Sequence, residues 1–350
     1  MLREFCGLSY EELVDWCSKQ GSPAYVAKQL FDWVYTKKVT SFSSMSNLKK
    51  TFRETLEKTF RLPSLQLSRV LQTEEAVKCL WELHDGHKVE SVLLFSPGRN
   101  TVCISSQVGC NARCAFCASG KQGWKRHLTR AEIIEQVVLA AQMLEKEGKK
   151  LTHIVFMGMG EPLENFEQVL FALKQITSPQ AFGFSMRRIT LSTVGIVENI
   201  HALADSGLKA TLVLSLHAPN QKIRKKIIPY ARKYPLEDLL EAMQYYAEKT
   251  KRDVTYEYIL IDEINAEKEH AKELAELLEG QQCTVNLIPY NPIPGVALRR
   301  PGRQKIETFE KELAKRGVRS TRRYTKGTEI AAACGQLALN APNLEAQNRV

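Results

Sequence analysis

Short apolar strands alternate with longer helical stretches between residues 99 and 291, and this alternation constrains the fold more than any other feature. The sequence predicts strands in NTVCISSQ and at residues 153–158, 188–195, 210–217, 254–261 and 284–291. Helical patterns such as AEIIEQVVLAAQMLEKEG and LEDLLEAMQYYAEK lie between them. Six β-then-α units need crossover connections, so we expect an α/β fold with a parallel sheet, either doubly wound or a barrel.

The chain before residue 99 has a different pattern. Apolar residues recur at helical spacing at Val26, Leu30, Trp33 and Val34 and again at Leu48, Phe52, Leu56 and Phe60. Residues 65–95 read instead as strands, with a hairpin signal at the Asp85-Gly86 step. We therefore divide the chain into a helical accessory domain (1–62), a β-hairpin extension (63–98), an α/β domain (99–330) and a C-terminal tail (331–350).

Unusual polar residues follow the predicted parallel strands, at the point where each strand ends. They are CNARCAFC after the first strand, GMGEP (Gly158–Pro162) after the second, Ser192 in the third, Ser215, Leu216 and His217 at the fourth, and Asn291 after the sixth. In parallel α/β folds the carboxyl ends of the strands meet at one edge, where ligands bind. The sequence therefore predicts one shared site.

Three cysteines stand in a C-x3-C-x2-C arrangement at Cys110, Cys114 and Cys117. A tight loop can present three thiolates to three corners of a cubane iron–sulfur cluster and leave one iron open, whereas a structural zinc needs four ligands. The alternative is a zinc site that recruits a fourth cysteine or histidine from elsewhere. Four other cysteines, at positions 6, 17, 79 and 283, are predicted to be small packed hydrophobic residues.

The chain is basic, with 49 Lys and Arg against 39 Asp and Glu, a net charge of +10. Between Arg299 and Lys326 there are eleven basic residues and three acids. The flanking runs RRPGRQK and RSTRRYTK have almost no acids to pair with, so we expect them to contact the phosphates of a nucleic acid. The exposed lysines of residues 1–62 would offer a second contact.

The sequence resembles one family nearly from end to end, the radical S-adenosylmethionine (SAM) RNA adenine C2-methyltransferases of the RlmN type. The shared motifs are AKQLFDWVY, VESVLLF, CISSQVGCNARCAFCASG, FMGMGEPLENF, TLSTVG, SLHAPN, LIPYNP and AAACGQLA. The resemblance implies a partial (β/α)6 TIM-like barrel of the radical SAM type. It also implies one [4Fe-4S] cluster per chain and two SAM molecules consumed per turnover.

The resemblance carries roles to individual residues. Cys110, Cys114 and Cys117 would hold the cluster. The SAM contacts would be Gly160, Glu161, Ser192, Ser215, Leu216, His217 and Asn291. Cys334 would be the cysteine that is methylated during turnover, Cys103 the cysteine that closes a disulfide onto it, and Glu90 the proton acceptor. Judged from its own surroundings, Glu90 reads only as an exposed carboxylate on a strand.

The implied substrates are adenines in the peptidyl-transferase loop of 23S rRNA and beside the anticodon of tRNA. One alternative is methylation of adenine C8 by the sister activity (the Cfr type), against which Pro162 after GMGE argues. Others are a non-catalytic RNA-binding protein that uses the cysteines for zinc or a cluster, and a radical SAM enzyme acting on a small molecule or a protein.

The sequence also leads to expectations about the partners of the protein and its location in the cell. We expect an electron donor such as flavodoxin, no membrane partner, and a monomer. The N-terminus lacks the apolar core of a signal peptide, so a cytoplasmic location is expected.

Overall fold

The computed structural model describes residues 2–339, so the part of the predicted C-terminal tail from residue 340 to 350 lies outside the described residues. Residues 2–61 form a helical module with helices α1 (Tyr10–Lys19), α2 (Ala24–Phe31) and α3 (Lys50–Thr59). A π-helical turn, Asp32–Thr36, continues α2. Strand β1 (Arg3–Glu4) pairs in parallel with β2 (Phe60–Arg61) and so joins the two ends of the module.

The apolar residues that recur at helical spacing in this module are buried or half-buried, as predicted. Val26, Leu30 and Val34 are buried, and so are Leu48, Leu56 and Phe60. Trp33 is half-buried and donates a hydrogen bond to Asn47 Oδ1 at 2.5 Å. Phe60 packs against Phe5 and Trp16 with edge-to-face rings. The module therefore has an aromatic core that is continuous with that of the rest of the chain.

Ten strands form the main sheet over residues 2–339. In chain order they are β3 (Leu65–Gln72), β4 (Ala76–Leu83), β5 (Lys88–Ser96), β6 (Arg99–Cys103), β9 (His153–Phe156), β10 (Ile189–Thr193), β11 (Thr211–Ser215), β12 (Val254–Leu260), β13 (Cys283–Pro289) and β14 (Ser320–Arg322). Their spatial order is β14-β13-β12-β11-β10-β9-β6-β5-β4-β3. A separate antiparallel pair, β7 (Gln107–Val108) and β8 (Arg126–His127), follows β6.

The sheet has a parallel part and an antiparallel part. Strands β6 and β9–β14 are parallel neighbours, whereas β3, β4 and β5 are antiparallel and extend the same sheet from β6. The six parallel strands that the sequence predicts are all present. A seventh, β14, was missed because it has only three residues and lies inside a basic run.

Helices connect the parallel strands. They are α4 (Ala118–Gln122), α5 (Arg130–Lys146), α6 (Phe166–Thr177), α7 (Val197–Asp205), α8 (Gln221–Ile227), α9 (Leu236–Thr250), α10 (Lys268–Leu277) and α11 (Arg303–Lys315). Thr129 caps α5 in a reciprocal arrangement with Glu132, which satisfies two backbone donors at the helix start. The arrangement is the partial TIM-like barrel of the radical SAM type, with the strand ends at one rim.

Within residues 2–339 no helix is both long enough and apolar enough to cross a membrane. The four isolated cysteines, Cys6, Cys17, Cys79 and Cys283, are all buried, as predicted. Burial raises the pKa of Cys79 to about 12, so this thiol stays protonated at neutral pH and packs as a small apolar group.

Candidate active site

The three cysteines of the C-x3-C-x2-C motif lie on a loop between β7 and α4. All three line one cavity at the carboxyl ends of the parallel strands. Cys110 is buried, and Cys114 and Cys117 are half-buried. Burial raises the pKa of the Cys110 and Cys114 thiols, and the neighbouring cysteines raise it further. Metal binding at this loop therefore has to displace protons.

The spacing of the three cysteine sulfurs bears on whether they hold a single zinc ion or a larger cluster. Within residues 2–339, only Glu4, His84 and Glu132 form a group of three metal-ligating side chains whose ligand atoms all lie within 4.8 Å of one another. Sulfurs that share one tetrahedral zinc at Zn–S distances near 2.3 Å lie about 3.8 Å apart. The three cysteine sulfurs do not all lie within 4.8 Å of one another, so in this conformation they are not gathered around one such ion.

A buried guanidinium gives a second test of the cluster. Arg224 on α8 is 0% exposed and donates to the carbonyl oxygens of Val194, Ser215 and Leu216, at 2.6, 3.3 and 3.2 Å. Its Nη1 has no hydrogen-bond partner within residues 2–339. Arg224 lowers the pKa of Cys114, so its charge favours a thiolate there. An unpaired buried cation is costly, and an anionic cluster held by thiolates would supply the missing counter-charge.

The helix of Arg224 is tied to the cysteine loop, since the Ala115 amide donates to the carbonyl oxygen of Ile227 at 2.9 Å. The residues present therefore fit an iron–sulfur cluster on Cys110, Cys114 and Cys117.

The GMGEP turn lies beside this loop. Gly160 has φ +105°, and a Cβ there would lie 2.6 Å from Gln107 Cβ, so only glycine fits. The buried carboxylate of Glu161 accepts hydrogen bonds from Thr193 Oγ1, Leu163 N and Val194 N at 2.7, 2.9 and 2.7 Å. Burial raises its pKa to about 7. Three of four acceptor positions are occupied, which leaves one for a ligand ammonium group.

Residues from the next two strands complete this wall of the cavity. Ser192 Oγ and Ser215 Oγ lie 3.3 Å apart. His217 has φ 57° and its Nδ1 accepts a hydrogen bond from the Ile259 amide at 3.0 Å. Burial lowers the pKa of His217 to about 3, so the ring is neutral. Leu216 is buried behind this wall, and its amide donates to the carbonyl oxygen of Glu257 at 3.1 Å.

Sequence reasoning missed Glu257 on β12. It lines the cavity and is 3% exposed, and its Oε2 has no hydrogen-bond partner in the part of the chain that the structure describes. A buried acceptor without a donor is rare in a folded protein. Glu257 is therefore a further position where a ligand hydroxyl or ammonium group would be satisfied. The only signal in the sequence was an acid in the middle of a buried strand, VTYEYIL.

A second cavity opens directly beside the first and shares Cys117, Met157, Gly158 and Cys334 with it. Cys103, at the end of β6, lies on its wall with Asn291, whose Nδ2 donates to the carbonyl oxygen of Cys334 at 3.1 Å. The nine cysteines are free thiols, Cys103 and Cys334 included. The structure thus brings Cys103, Cys334 and the cysteine loop to one connected space.

Cys334 reaches this space from the C-terminal segment. Gly335, at φ +82°, lets the chain turn close to the cysteine loop, where a Cβ would lie 3.2 Å from the Phe116 carbonyl oxygen. The Ala118 amide donates to the Gly335 carbonyl oxygen at 2.8 Å. Cys334 is exposed as a residue, yet protein surrounds its thiol closely enough that desolvation raises the pKa.

The chain matches two family models. Residues 104–277 match the radical SAM superfamily, and residues 4–62 match the ribosomal RNA large subunit methyltransferase N-terminal domain. It is 54% identical over 338 residues to a probable dual-specificity RNA methyltransferase RlmN 2 of Protochlamydia amoebophila, covering 96% of this chain and 94% of that one. The chain belongs to the RlmN family of radical SAM RNA methyltransferases.

A further relative and a solved structure support the same family assignment. The probable dual-specificity RNA methyltransferase RlmN of Thermotoga neapolitana is 45% identical, over 97% of this chain and 98% of that one. A crystal structure of a radical SAM methyltransferase from Sphaerobacter thermophilus superposes with a TM-score of 0.94 at 42% identity, covering 96% of this chain and 99% of the other. An RlmN-type enzyme is a radical SAM protein, and the superfamily implies a [4Fe-4S] cluster and SAM, as the sequence predicted.

Glu90 is the one predicted catalytic residue of this RlmN-type chain that does not line either cavity. The expectation of an exposed strand carboxylate was wrong, since Glu90 is 2% exposed. Its Oε1 lies 3.0 Å from Lys78 Nζ, and its Oε2 accepts from the Ala338 amide at 3.0 Å. The C-terminal segment covers it, because the chain folds back over β4 and β5.

The expectation that the two basic flanks lack acidic partners was also wrong. Six of their eight cations pair with carboxylates, most of them distant in sequence. The pairs are Arg303–Glu307, Lys305–Asp262, Arg319–Asp253, Arg322–Glu310, Arg323–Glu257 and Lys326–Glu75. Exposed pairs of this kind are weak, so a phosphate can still compete for the outer ones. Arg323 instead lines both cavities.

Arg323 is a second residue whose place the sequence did not reveal. Its Nη1 lies 2.9 Å from Glu257 Oε1, and its charge lowers the pKa of both Cys103 and Cys334 against the larger effect of burial. The guanidinium thus favours the thiolate form of both thiols.

Replacing Arg323 by methionine should therefore raise the pKa of Cys334. We expect the pH profile of iodoacetamide alkylation at Cys334 in the metal-free protein to move to higher pH. The rate at neutral pH should fall severalfold, because the thiolate is the reacting form. Arg322→Met is the matched control, since Arg322 is the preceding residue and pairs with Glu310. An unchanged profile in Arg323→Met would show that Arg323 does not act on this thiol.

Proposed function

We propose that this RNA methyltransferase methylates C2 of adenine in the peptidyl-transferase loop of 23S rRNA and of the adenine next to the anticodon in tRNA. The observation that carries the proposal is the meeting of Cys334 and Cys103 in a cavity that is continuous with the three-cysteine loop. A methyl carrier, a second thiol and a cluster site are thereby within one space, as an S-methylcysteine route requires.

The chemistry of C2 explains why two thiols are needed. This carbon lies between two ring nitrogens and is electron-poor, so it is a bad nucleophile for a sulfonium methyl group, and direct displacement fails. When bound, the cluster and SAM supply a 5′-deoxyadenosyl radical that removes a hydrogen atom from a methylated thiol. Covalent catalysis then divides an inaccessible substitution into feasible steps.

The chain's own residues would act as follows. Cys334 accepts a methyl group on Sγ and later joins it, as a methylene bridge, to C2 of the base. Cys103 attacks the Cys334 sulfur, which forms the S–S bond and breaks the bond from that sulfur to the bridging carbon. The electron pair of the broken bond stays with the carbon, which takes up a proton and becomes the methyl group. The one electron left over from radical addition would pass to a one-electron acceptor such as the bound cluster. Glu90 takes the proton that leaves C2. Burial raises the pKa of Cys103 to about 12, so it remains a thiol until the adduct is formed.

The mouth of the second cavity suits an extruded base. Tyr324 is 87% exposed and lines this cavity together with Arg99 and Lys326. An exposed aromatic ring beside cations is the combination on which single-stranded RNA bases stack. RNA would bind with the target adenine turned into the cavity, as base-modifying enzymes require.

Tyr324→Ala should raise KM for RNA by about fivefold or more with little change in kcat, since a base stacked on an aromatic ring contributes ~1–3 kcal/mol. Tyr324→Phe keeps the ring and should behave like the unchanged enzyme. The measurement is steady-state methylation of an RNA fragment at constant salt. Equal KM values for the alanine and phenylalanine variants would remove Tyr324 from the RNA contact.

The decisive experiment is an anaerobic assay of the reconstituted protein with SAM, a reductant and RNA fragments whose adenines carry deuterium at C2 or at C8. Methyladenosine that has lost the C2 label supports the proposal. Loss of the C8 label identifies the sister activity, and methylated RNA that keeps both labels contradicts both. Protein that binds zinc, stays colourless and does not cleave SAM would be a non-catalytic RNA-binding protein.

The proposed function also has a cellular location, an oligomeric state and an electron donor. We expect it to work in the cytoplasm as a monomer, with an electron donor such as flavodoxin. Two SAM molecules would be consumed per methyl group transferred, one as the methyl donor to Cys334 and one as the source of the radical.

A further inference from the structure

Lys78 and Glu90 form a buried ion pair beneath the segment that carries Cys334. Lys78 lies on β4 and Glu90 on β5, and the two strands pair Lys78 with Val92 and Leu80 with Glu90. Lys78 and Glu90 are therefore diagonal neighbours on one face of the sheet, within reach of long side chains. Both side chains are 3% exposed, and Lys78 Nζ lies 3.0 Å from Glu90 Oε1.

The same pair holds both ends of one loop. Lys78 Nζ also donates to the carbonyl oxygen of Ala331, at 3.2 Å. Glu90 Oε2 accepts from the amides of Ala338 and Leu339, at 3.0 and 3.3 Å. The bond from Lys78 is made three residues before Cys334, and the bonds to Glu90 are made four and five residues after it.

Other contacts of this loop reach the far side of the cavity. Ser119 Oγ donates to the Leu337 carbonyl oxygen at 2.6 Å, and Gln336 Nε2 donates to the Pro292 carbonyl oxygen at 3.0 Å. These are bonds between neutral groups, whereas each bond from Lys78 or Glu90 is charge-assisted and therefore stronger. The buried pair is thus the strongest polar attachment of the loop on the sheet side.

We propose that Lys78 is a positioning residue, which together with Glu90 clasps residues 331–339 and holds Cys334 in the cavity opposite Cys103. The proposal rests on the proposed role of Cys334. While the clasp is closed, both carboxylate oxygens of Glu90 are bonded, one to Lys78 and the other to the two loop amides, and the loop covers the carboxylate. Glu90 can accept a proton from RNA only after the loop lifts, so opening the clasp frees the acid and the Cys334 loop together.

The closed clasp and the proton transfer thus belong to different stages of one turnover. Cys334 is held in place while it is methylated and activated. Release of the loop then uncovers Glu90 for the later proton transfer. The sheet supplies the two charges on neighbouring strands, and the loop contributes only backbone groups, so the arrangement does not depend on the side chains at positions 331, 338 and 339.

The experiment is hydrogen–deuterium exchange on metal-free Lys78→Met, with the rate of Cys334 alkylation measured on the same samples. The amides of Ala338 and Leu339 should exchange about tenfold faster or more, because Glu90 loses the cation that orients it. Cys334 should be alkylated faster for the same reason. Amides of the β4–β5 ladder should keep their protection. In the reconstituted enzyme, kcat should fall with little change in KM for RNA.

Two further variants keep the test decisive. Lys88→Met removes a half-exposed lysine that pairs with Glu82 on the same two strands, and it should change none of these readouts. If Lys78→Met does not fold, Lys78→Met/Glu90→Gln leaves no unpaired buried charge and should fold. It should still exchange its loop amides faster than the unchanged protein, since the charge-assisted bonds are gone.

Two results would overturn the proposal. Unchanged loop exchange and unchanged Cys334 alkylation in both variants would show that the pair does not hold the loop. Equal loss of protection in the loop and in the β4–β5 ladder would show that Lys78 supports the whole sheet instead. Because these readouts need neither cluster nor RNA, failure of C2 methylation by the unchanged enzyme would be seen separately.

Discussion

Cys103→Ala should stop turnover at a covalent protein–RNA adduct that survives on a denaturing gel. In this variant Cys334 can still be methylated and joined to the base, but no second thiol can attack its sulfur to release the RNA. Multiple-turnover methylation should fall by about a thousandfold or more, as expected when a nucleophile is removed. Adduct yield is measured with labelled RNA under anaerobic conditions.

The matched control for Cys103→Ala is Cys283→Ala. Cys283 is a buried thiol at the start of β13, away from both cavities, and its loss should cost stability and leave methylation intact. In the unchanged enzyme, decay of the adduct should accelerate as pH rises. Burial raises the pKa of Cys103 to about 12, so the thiolate fraction increases throughout the accessible range. A Cys103→Ala enzyme that turns over without an adduct would exclude the assigned role.

Cys334→Ala should abolish RNA methylation altogether, again by about a thousandfold or more, because the methyl carrier is absent. No adduct should form, which distinguishes this variant from Cys103→Ala. SAM cleavage should be poor or unproductive, because no S-methyl group is present to give up a hydrogen atom. The measurements are methyladenosine by mass spectrometry and 5′-deoxyadenosine from the same reaction.

Iron content is the internal control for Cys334→Ala. The cluster-loop cysteines are Cys110, Cys114 and Cys117, so the variant should bind as much iron and sulfide as the unchanged protein. A Cys110→Ala variant should instead lose the cluster. Persistent methylation of RNA by Cys334→Ala would mean that another thiol carries the methyl group.

The two basic flanks show where local sequence misleads. RSTRRYTK reads as an unpaired cationic run, yet it contains the edge strand β14 and Arg323, which turns into the cavity to pair with Glu257. Glu257 is 66 residues away in sequence. Parallel strands bring together residues separated by whole βα units, here two of them, and no local pattern reports such a pairing. For the same reason, the place of Glu257 in the site could not be predicted from the sequence.

Glu90 is a second residue whose surroundings could not be predicted from the local sequence, because it is buried where exposure was expected. As part of KVESV it reads as an outward-facing carboxylate on a strand, since polar residues on strands usually face solvent. In the structure its face of the sheet is covered by residues that lie about 250 positions later in the chain. Burial of Glu90 depends on how the C-terminal segment returns over β4 and β5.

The sequence by itself determined the α/β class, the six parallel strands it counted, the three-cysteine loop after the first of them, and the family, because hydrophobic periodicity and closely spaced motifs are local properties of the chain. Only the tertiary structure decided that β14 joins the sheet, that Arg323 and Glu257 belong to the site, and that Lys78 and Glu90 hold the loop of Cys334. Those facts depend on contacts between distant segments, whose partners are selected by packing of the whole core.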